Sequence, residues 1–191
     1  MSYKPPVAVY DACVLYPFHL RNLLIQCAAE RLVEARWSDD IHDEWIRNLL
    51  AKEAGVTSER LNLTRERMEK ALPGASVSDY RQYIDGIALR DPDDRHVVAA
   101  GIAAGASVIV TWNVRDFPKK ELARHGLAKV DPDTFLMELY AAAQDPLVAA
   151  TANARRNLSK SGLGAQEFIE ALKRQKLERF AGVMMGHLHD L

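Results

Sequence analysis

Cysteine is scarce in this chain: Cys13 and Cys27 are the only two among 191 residues, and both fall in apolar runs. Two buried thiols are expected rather than a disulfide, which points to a reducing cytoplasm. Long hydrophobic runs are missing, so no segment should cross a bilayer, and Met1 to Pro6 lacks the apolar stretch of a signal peptide. Surplus charge is missing too, because 25 Lys and Arg face 26 Asp and Glu for a formal net charge of −1. That balance excludes an all-over basic nucleic-acid binder and leaves any phosphate-bearing partner to a local basic patch or a metal. Glycine is absent from DACVLYP after the first apolar run, so the turn that cradles a dinucleotide cannot form there. A phosphoaspartate receiver is excluded as well, since Asp11 stands without an acidic neighbour and no Lys ends a late strand. The rest is ordinary for a soluble globular protein, with 48% apolar and 27% charged residues.

What is present concentrates between Asp91 and Asp116. An acid-rich loop, DPDD, opens an alanine-rich helix that leads through Gly105 to a short strand, Ser107 to Thr111. Val97, Val98, Gly101, Ile102 and Gly105 recur at helical spacing, so Asp94 on the first turn shares the side that faces the protein. Asn113 and Asp116 follow the strand, where open α/β sheets keep their ligand crevice. Acids gathered at such an edge are costly unless positive charge sits between them.

The remainder of the chain supplies the frame. Pro5 to Tyr10 is expected as a buried strand delivering Asp11 at its end, with a helix following at once, the start of a βα unit. Ser38 or Asp39 caps a helix to about Glu53, with Ile41, Trp45, Ile46, Leu49 and Leu50 as its buried stripe and Glu44 on the border. Thr57 to Leu72 is a further amphipathic helix with Leu61, Thr64, Met68 and Ala71 inside, stopped by Pro73 and Gly74. A short helix is expected near Tyr80, a short strand over Ile87 to Leu89, another helix over Phe117 to His125 and an edge strand over Ala128 to Val130. Asp131-Pro132 and Asp145-Pro146 each open a helix. Ser159 to Gly164 is expected as a linker, and Ala165 to about Leu188 as helix. His42, His96, His187 and His189 are expected at the surface or in loops. No strand pattern follows Val130. The expected architecture is therefore a three-layer α/β/α parallel sheet over residues 1–143 with a helical C-terminal extension over residues 144–191.

In such a sheet the strand ends carrying Asp11 and Thr111 can be neighbours, and the helices of Glu44 and Asp94 can bring their acids to the same rim. Asp11, Glu44, Asp94 and Asp116, with Asn113 as a further oxygen donor, make a hard ligand set suited to Mg²⁺ or Mn²⁺. One or two such ions can clamp a phosphodiester and lower the pKa of an attacking water. Asp91 and Asp93 are expected to cap the neighbouring helix. Arg95, Arg115, Lys119, Lys120 and Arg124 flank the acids and can hold phosphates or simply be solvated. Residues 151–191 carry seven Lys or Arg against four Asp or Glu, which leaves the same two readings open.

VYDACVLYP around Asp11, IHDEW around Glu44, DPDDRHVVAAG around Asp94 and VIVTWNVRDFP from Val108 to Pro118 together resemble the PIN-domain ribonucleases, and more narrowly the VapC-type toxins of toxin–antitoxin pairs. The resemblance covers roughly Val7 to Tyr140, and the two later motifs are the specific ones. It implies a Mg²⁺- or Mn²⁺-dependent endoribonuclease with catalytic and metal-binding Asp11, Glu44, Asp94 and Asp116, and with Thr111 and Asn113 orienting the metal or its water. It also implies an RNA substrate of the tRNA or rRNA class, a small antitoxin as partner and a homodimer, without a membrane. Two features depart from the family pattern: the helical tail, and Ala12-Cys13 where a hydroxyl or Asn-type residue commonly follows the first Asp. The alternatives are a flap-type nuclease on DNA, RNA processing without an antitoxin, and a non-catalytic scaffold, which would be expected to have lost an acid.

Overall fold

The computed structural model describes residues 3–158 and 162–191. Four short strands, β1 (Val7–Tyr10), β2 (Glu34–Arg36), β3 (Val108–Val110) and β4 (Ala128–Val130), form one sheet in the order β2-β1-β3-β4. Every pairing is parallel, with Val9 opposite Arg36 on one side and Ile109 on the other, and Val110 opposite Val130. Chain order reverses direction between β1 and β3, which makes that seam the switch point where open sheets bind ligands.

Alternation along β1 sets the layers. Ala8, Val9 and Tyr10 are all fully buried, as a central parallel strand requires when both faces are covered. Val9 faces α5 (Arg95–Ala103), where a side chain added at Gly101 would meet it and Leu127. Tyr10 faces the other way, its hydroxyl donating to the Leu24 carbonyl of α2 (Phe18–Ala29) at 3.5 Å. Its ring lies edge-on to Phe135 of α7 (Pro132–Ala142) at 6.5 Å. The expected three-layer parallel architecture is thus present. A short α1 (Ala12–Leu15) bridges β1 and α2.

The first half of the chain adds α3 (Asp39–Lys52) and α4 (Ser58–Ala71), capped by Ser38 and Thr57 through their side chains. They are joined by a polar cluster in the core. Glu69 accepts from Trp37 Nε1 (3.1 Å), His42 Nε2 (3.0 Å) and Ser76 Oγ (2.7 Å). Trp45 Nε1 donates to His42 Nδ1 at 2.9 Å, so the imidazole proton resides on Nε2. Burial holds this His below its ordinary pKa. His42 is therefore a fully buried core residue and not the surface or loop histidine expected.

Other expectations need correcting. Ile87 to Leu89 is extended but joins no strand, because the Ala88 N–H is satisfied by Glu121 Oε1 at 3.0 Å. The unexpected β2 lies at a sheet edge, where only Ala35 is buried and a polar Glu34 is tolerated. Leu50 and Ala71 face solvent. The helix α8 (Gln144–Arg156) starts directly at the Ala143 junction, with Asp145 in its first turn rather than at the cap. The stretch expected as one helix is two, α9 (Ala165–Arg174) and α10 (Glu178–Met184). His187 is engaged by the Tyr140 hydroxyl at 2.8 Å rather than by solvent alone. Residues 159–161 of the expected linker lie outside the described residues.

The C-terminal helices grip the sheet layer through α2 and α7. Asn22 Nδ2 donates to the Ala154 carbonyl (2.7 Å), and Asn153 Nδ2 donates to Glu30 Oε1 (2.7 Å). Asp133 of α7 caps α10 by accepting from the Arg179 and Phe180 N–H groups at 3.1 and 2.9 Å. Among the described residues no helix is long and apolar enough to cross a membrane.

The Glu69 cluster yields a stability prediction. Glu69→Ala leaves the buried Trp37 and His42 donors unpaired and should lower unfolding free energy by about 2–4 kcal/mol. Urea denaturation checks this, and a loss within experimental error would show that the cluster does not hold α3 to α4.

Candidate active site

The sheet's hydrogen bonding continues one residue past β1, toward β3, and one residue past β3, toward β4. The Asp11 N–H donates to the Val110 carbonyl (3.1 Å) and the Thr111 N–H to the Val130 carbonyl (3.0 Å). Both side chains consequently emerge at the carboxyl edge of the sheet, side by side. The Thr111 hydroxyl donates to Asp11 Oδ2 at 2.6 Å, and the Cys13 thiol donates to the same oxygen at 3.1 Å. Thr111 Oγ1 in turn accepts from the Asn113 N–H (2.9 Å), and Cys13 Sγ accepts from the Trp112 N–H (3.3 Å). Cys13 thus occupies a bonding position beside Asp11, a role its sequence context did not reveal. Burial pushes its thiol up to about 12, so it serves as a neutral donor rather than a thiolate.

Asp11 is almost fully buried, and that burial raises its pKa; the Thr111 and Cys13 hydrogen bonds oppose the rise, and the charge of Glu44 adds to it. Asp94 ends a tight turn, Pro92–Asp94, immediately before α5, and Asp91 caps that turn by accepting from the Asp93 N–H at 2.9 Å. Its carboxyl is pushed up to about 6, first by burial and then by Asp11, Asp91, Asp116 and Glu44 in that order. Of the four acids singled out from the sequence, the other three thus act on Asp94, and Glu44 also acts on Asp11. Asp116 sits in the turn after β3, its N–H donating to the Asn113 carbonyl at 2.9 Å. Asn113 itself is exposed and is tied to the site through its backbone.

Glu44 is half-buried on α3 with His96 Nε2 3.3 Å from its Oε2. His96 was expected at the surface or in a loop; it borders the site instead, as the second residue of α5. Only its place one helical turn from Ala99 and Ala100 could have signalled this. Among the described residues no Lys or Arg lies at ion-pair distance from Asp11, Glu44, Asp94 or Asp116. The flanking Arg124 pairs with Glu121 at 2.9 Å. Nor, among the described residues, do three His, Cys, Asp or Glu side chains stand close enough to form a ready-made metal cage. The edge is a set of hard oxygen donors with His96 beside Glu44 and, among the described residues, no Lys or Arg paired with the acids. Such a donor set fits Mg²⁺ or Mn²⁺ in kind.

Residues 7–115, more than half of the chain, match the PIN domain family. The chain belongs to that family. Residues 132–185, which include α7 as well as the helices after it, match the VapC50 C-terminal domain. Among curated proteins the chain is similar to one named "Putative ribonuclease VapC50" from Mycobacterium tuberculosis, 42% identical over 45 residues. That match spans 24% of this chain and 27% of the relative, about a quarter of each. No solved structure matches.

The raised Asp94 pKa gives a prediction with a definite sign. A carboxyl whose folded pKa of about 6 exceeds its unfolded value of about 4 stabilises the fold at low pH, and this contribution is lost as pH rises through about 6. In EDTA, Asp94→Asn should therefore melt above wild type at pH 8, with the gap closing as pH falls from about 6 toward 4. A gap that is absent, or that widens with acid, would contradict the assigned electrostatics.

Proposed function

We propose that this PIN-domain protein is a Mg²⁺- or Mn²⁺-dependent endoribonuclease and the toxin of a type II toxin–antitoxin pair. The observation that carries the reading is the acid edge beside the β1–β3 seam, where burial and then Asp11, Asp91, Asp116 and Glu44 lift Asp94 to about 6. Asp11, Glu44, Asp94 and Asp116 would hold the ion, with Asn113 as an additional oxygen donor. When bound, the ion supplies positive charge that lowers the pKa of the attacking water and offsets charge on the phosphodiester. Thr111 and Cys13 hold the Asp11 carboxylate in one orientation through their hydrogen bonds to Oδ2. The acids act as ligands rather than nucleophiles, and water attacks in line with the leaving oxygen.

RNA of the tRNA or rRNA class is the proposed substrate, and a homodimer would lengthen the shallow edge into a groove for it. The antitoxin would place a basic side chain among the acids in the ion's stead. A cleft of about 750 Å³ supports a second point of grip: Ile25, Leu49 and Met68 line it together with Arg60 and Arg67. Its lining suits an amphipathic segment with acidic residues. The domain division at residue 143 is proposed on the same footing.

Asp94→Asn should reduce Mn²⁺-dependent RNA cleavage on the order of 100-fold or more. Its expression without antitoxin should no longer arrest growth. Calorimetric titration with Mn²⁺ should give heat with wild type and little with Asp11→Asn. Unchanged cleavage by Asp94→Asn would remove the catalytic assignment, and equal cleavage of single-stranded DNA by wild type would replace RNA with the broader nuclease class.

A further inference from the structure

The junction of α9 and α10 brings the C-terminal extension onto the rim of the candidate site. There the Leu177 N–H donates to the Leu172 carbonyl (3.3 Å) and the Lys176 N–H to the Lys173 carbonyl (2.9 Å). These two bonds define a Schellman stop, with Lys176 at the position where glycine is usual. Lys176 accordingly has φ 67°, a left-handed conformation that L side chains adopt only at a cost. Arg31 ends α2 in the same way at φ 61°, so the conformation alone implies no ligand. The two residues differ in what lies around them. Arg31 leads into β2 and so stands at the opening end of the strands, away from the acids.

The Lys176 ammonium instead lies 5.9 Å from the centroid of the Trp112 ring. Trp112 is the residue between Thr111 and Asn113, so this contact reaches the acid edge itself. Next to it, Gln175 Oε1 accepts from the Leu20 N–H at 2.8 Å, seating the junction on the start of α2. Two residues earlier Phe18 is 53% exposed, with the Arg21 guanidinium 5.8 Å from its ring centroid, and Arg174 is exposed at the end of α9. Leu177 is fully buried, and Asp133 holds the first turn of α10 from below. The junction is thus fixed from both sides, and beside it stand two aromatic residues, the exposed Phe18 and the half-buried Trp112, with two exposed cations, Arg174 and Lys176.

We infer that Phe18, Trp112, Arg174 and Lys176 form a seat for a single-stranded stretch of the RNA substrate, adjoining the acid edge; this rests on the nuclease reading. The acids repel phosphate, so a strand needs cations beside them to approach. Aromatic faces alternating with cations are the pattern that takes bases by stacking and backbone by charge without demanding a sequence. The PIN layer supplies Phe18 and Trp112, and the extension supplies Arg174 and Lys176. The seat is therefore complete only when both parts of the chain are present.

The test is fluorescence anisotropy of a short fluorescein-labelled single-stranded RNA with the full chain in EDTA, across a series of salt concentrations. Lys176→Gly removes the ammonium while relieving the backbone, so the variant folds. It should bind several-fold more weakly, with the slope of log affinity against log salt smaller by about 0.7. Phe18→Ala should lose about fivefold or more with its salt slope unchanged. Arg31→Gly, the same change of charge and backbone at the opposite end of the strands, should bind as wild type. With Mn²⁺ present, Lys176→Gly should raise KM and leave kcat. If Lys176→Gly, Phe18→Ala and Arg31→Gly all bind RNA as wild type does, the seat is refuted, and so is an RNA role for these residues against one in protein binding. Cleavage by wild type with Mn²⁺ then judges the nuclease reading separately, since it can succeed while the seat fails.

Discussion

Parallel pairing of β1 with β3 is the constraint on which the rest of this molecule depends. It sets Asp11 and Thr111 side by side at the carboxyl edge, close enough for a 2.6 Å hydrogen bond. Because Asp11 is nearly dry, its charge is poorly screened and is felt by Asp94. Asp94 registers this most strongly, since burial and four neighbouring carboxylates act on it together. Among the described residues no Lys or Arg pairs with these acids, so their mutual repulsion is relieved by protonation or by a cation from outside. The donor set is of the kind that suits a hard divalent ion.

The elements around the seam serve to aim those acids. The Glu69 cluster fastens α3 to α4 and to the end of β2, and α3 carries Glu44. The packing of α5 on Val9 through Gly101 brings the Asp94 turn to the same rim. On the opposite face α2 and α7 are held by the C-terminal helices, whose junction returns to Trp112 at the site. The extension is thereby coupled to the acid edge through packing as well as through sequence.

Much of this was legible in the chain. The stretch from Asp91 to Asp116 announces itself because acid, small residues at helical spacing and a short apolar strand follow in order, and each is a local signal. Asp131-Pro132 likewise marks its own helix start. Signals failed where tertiary context decides. A three-residue edge strand such as Glu34–Arg36 carries no apolar alternation, so β2 was invisible. Ile87 to Leu89 has strand-like alternation, yet a carboxylate from Glu121 satisfies its backbone instead of a neighbouring strand. His42 looked solvent-facing because its two partners, Trp45 and Glu69, lie on different helices. Nothing local in ALKRQKLERF shows that Lys176 would stop a helix where glycine is usual, or that it would find Trp112.

The most direct measurement is anomalous diffraction from crystals of the full chain soaked in Mn²⁺. The account predicts a manganese peak at the carboxyl edge of β1 and β3, with oxygens of Asp11 and Asp94 at roughly 2.2 Å and Glu44 or Asp116 completing the shell directly or through water. Crystals saturated with Mn²⁺ that show no peak among these acids, or one only elsewhere on the surface, would contradict it.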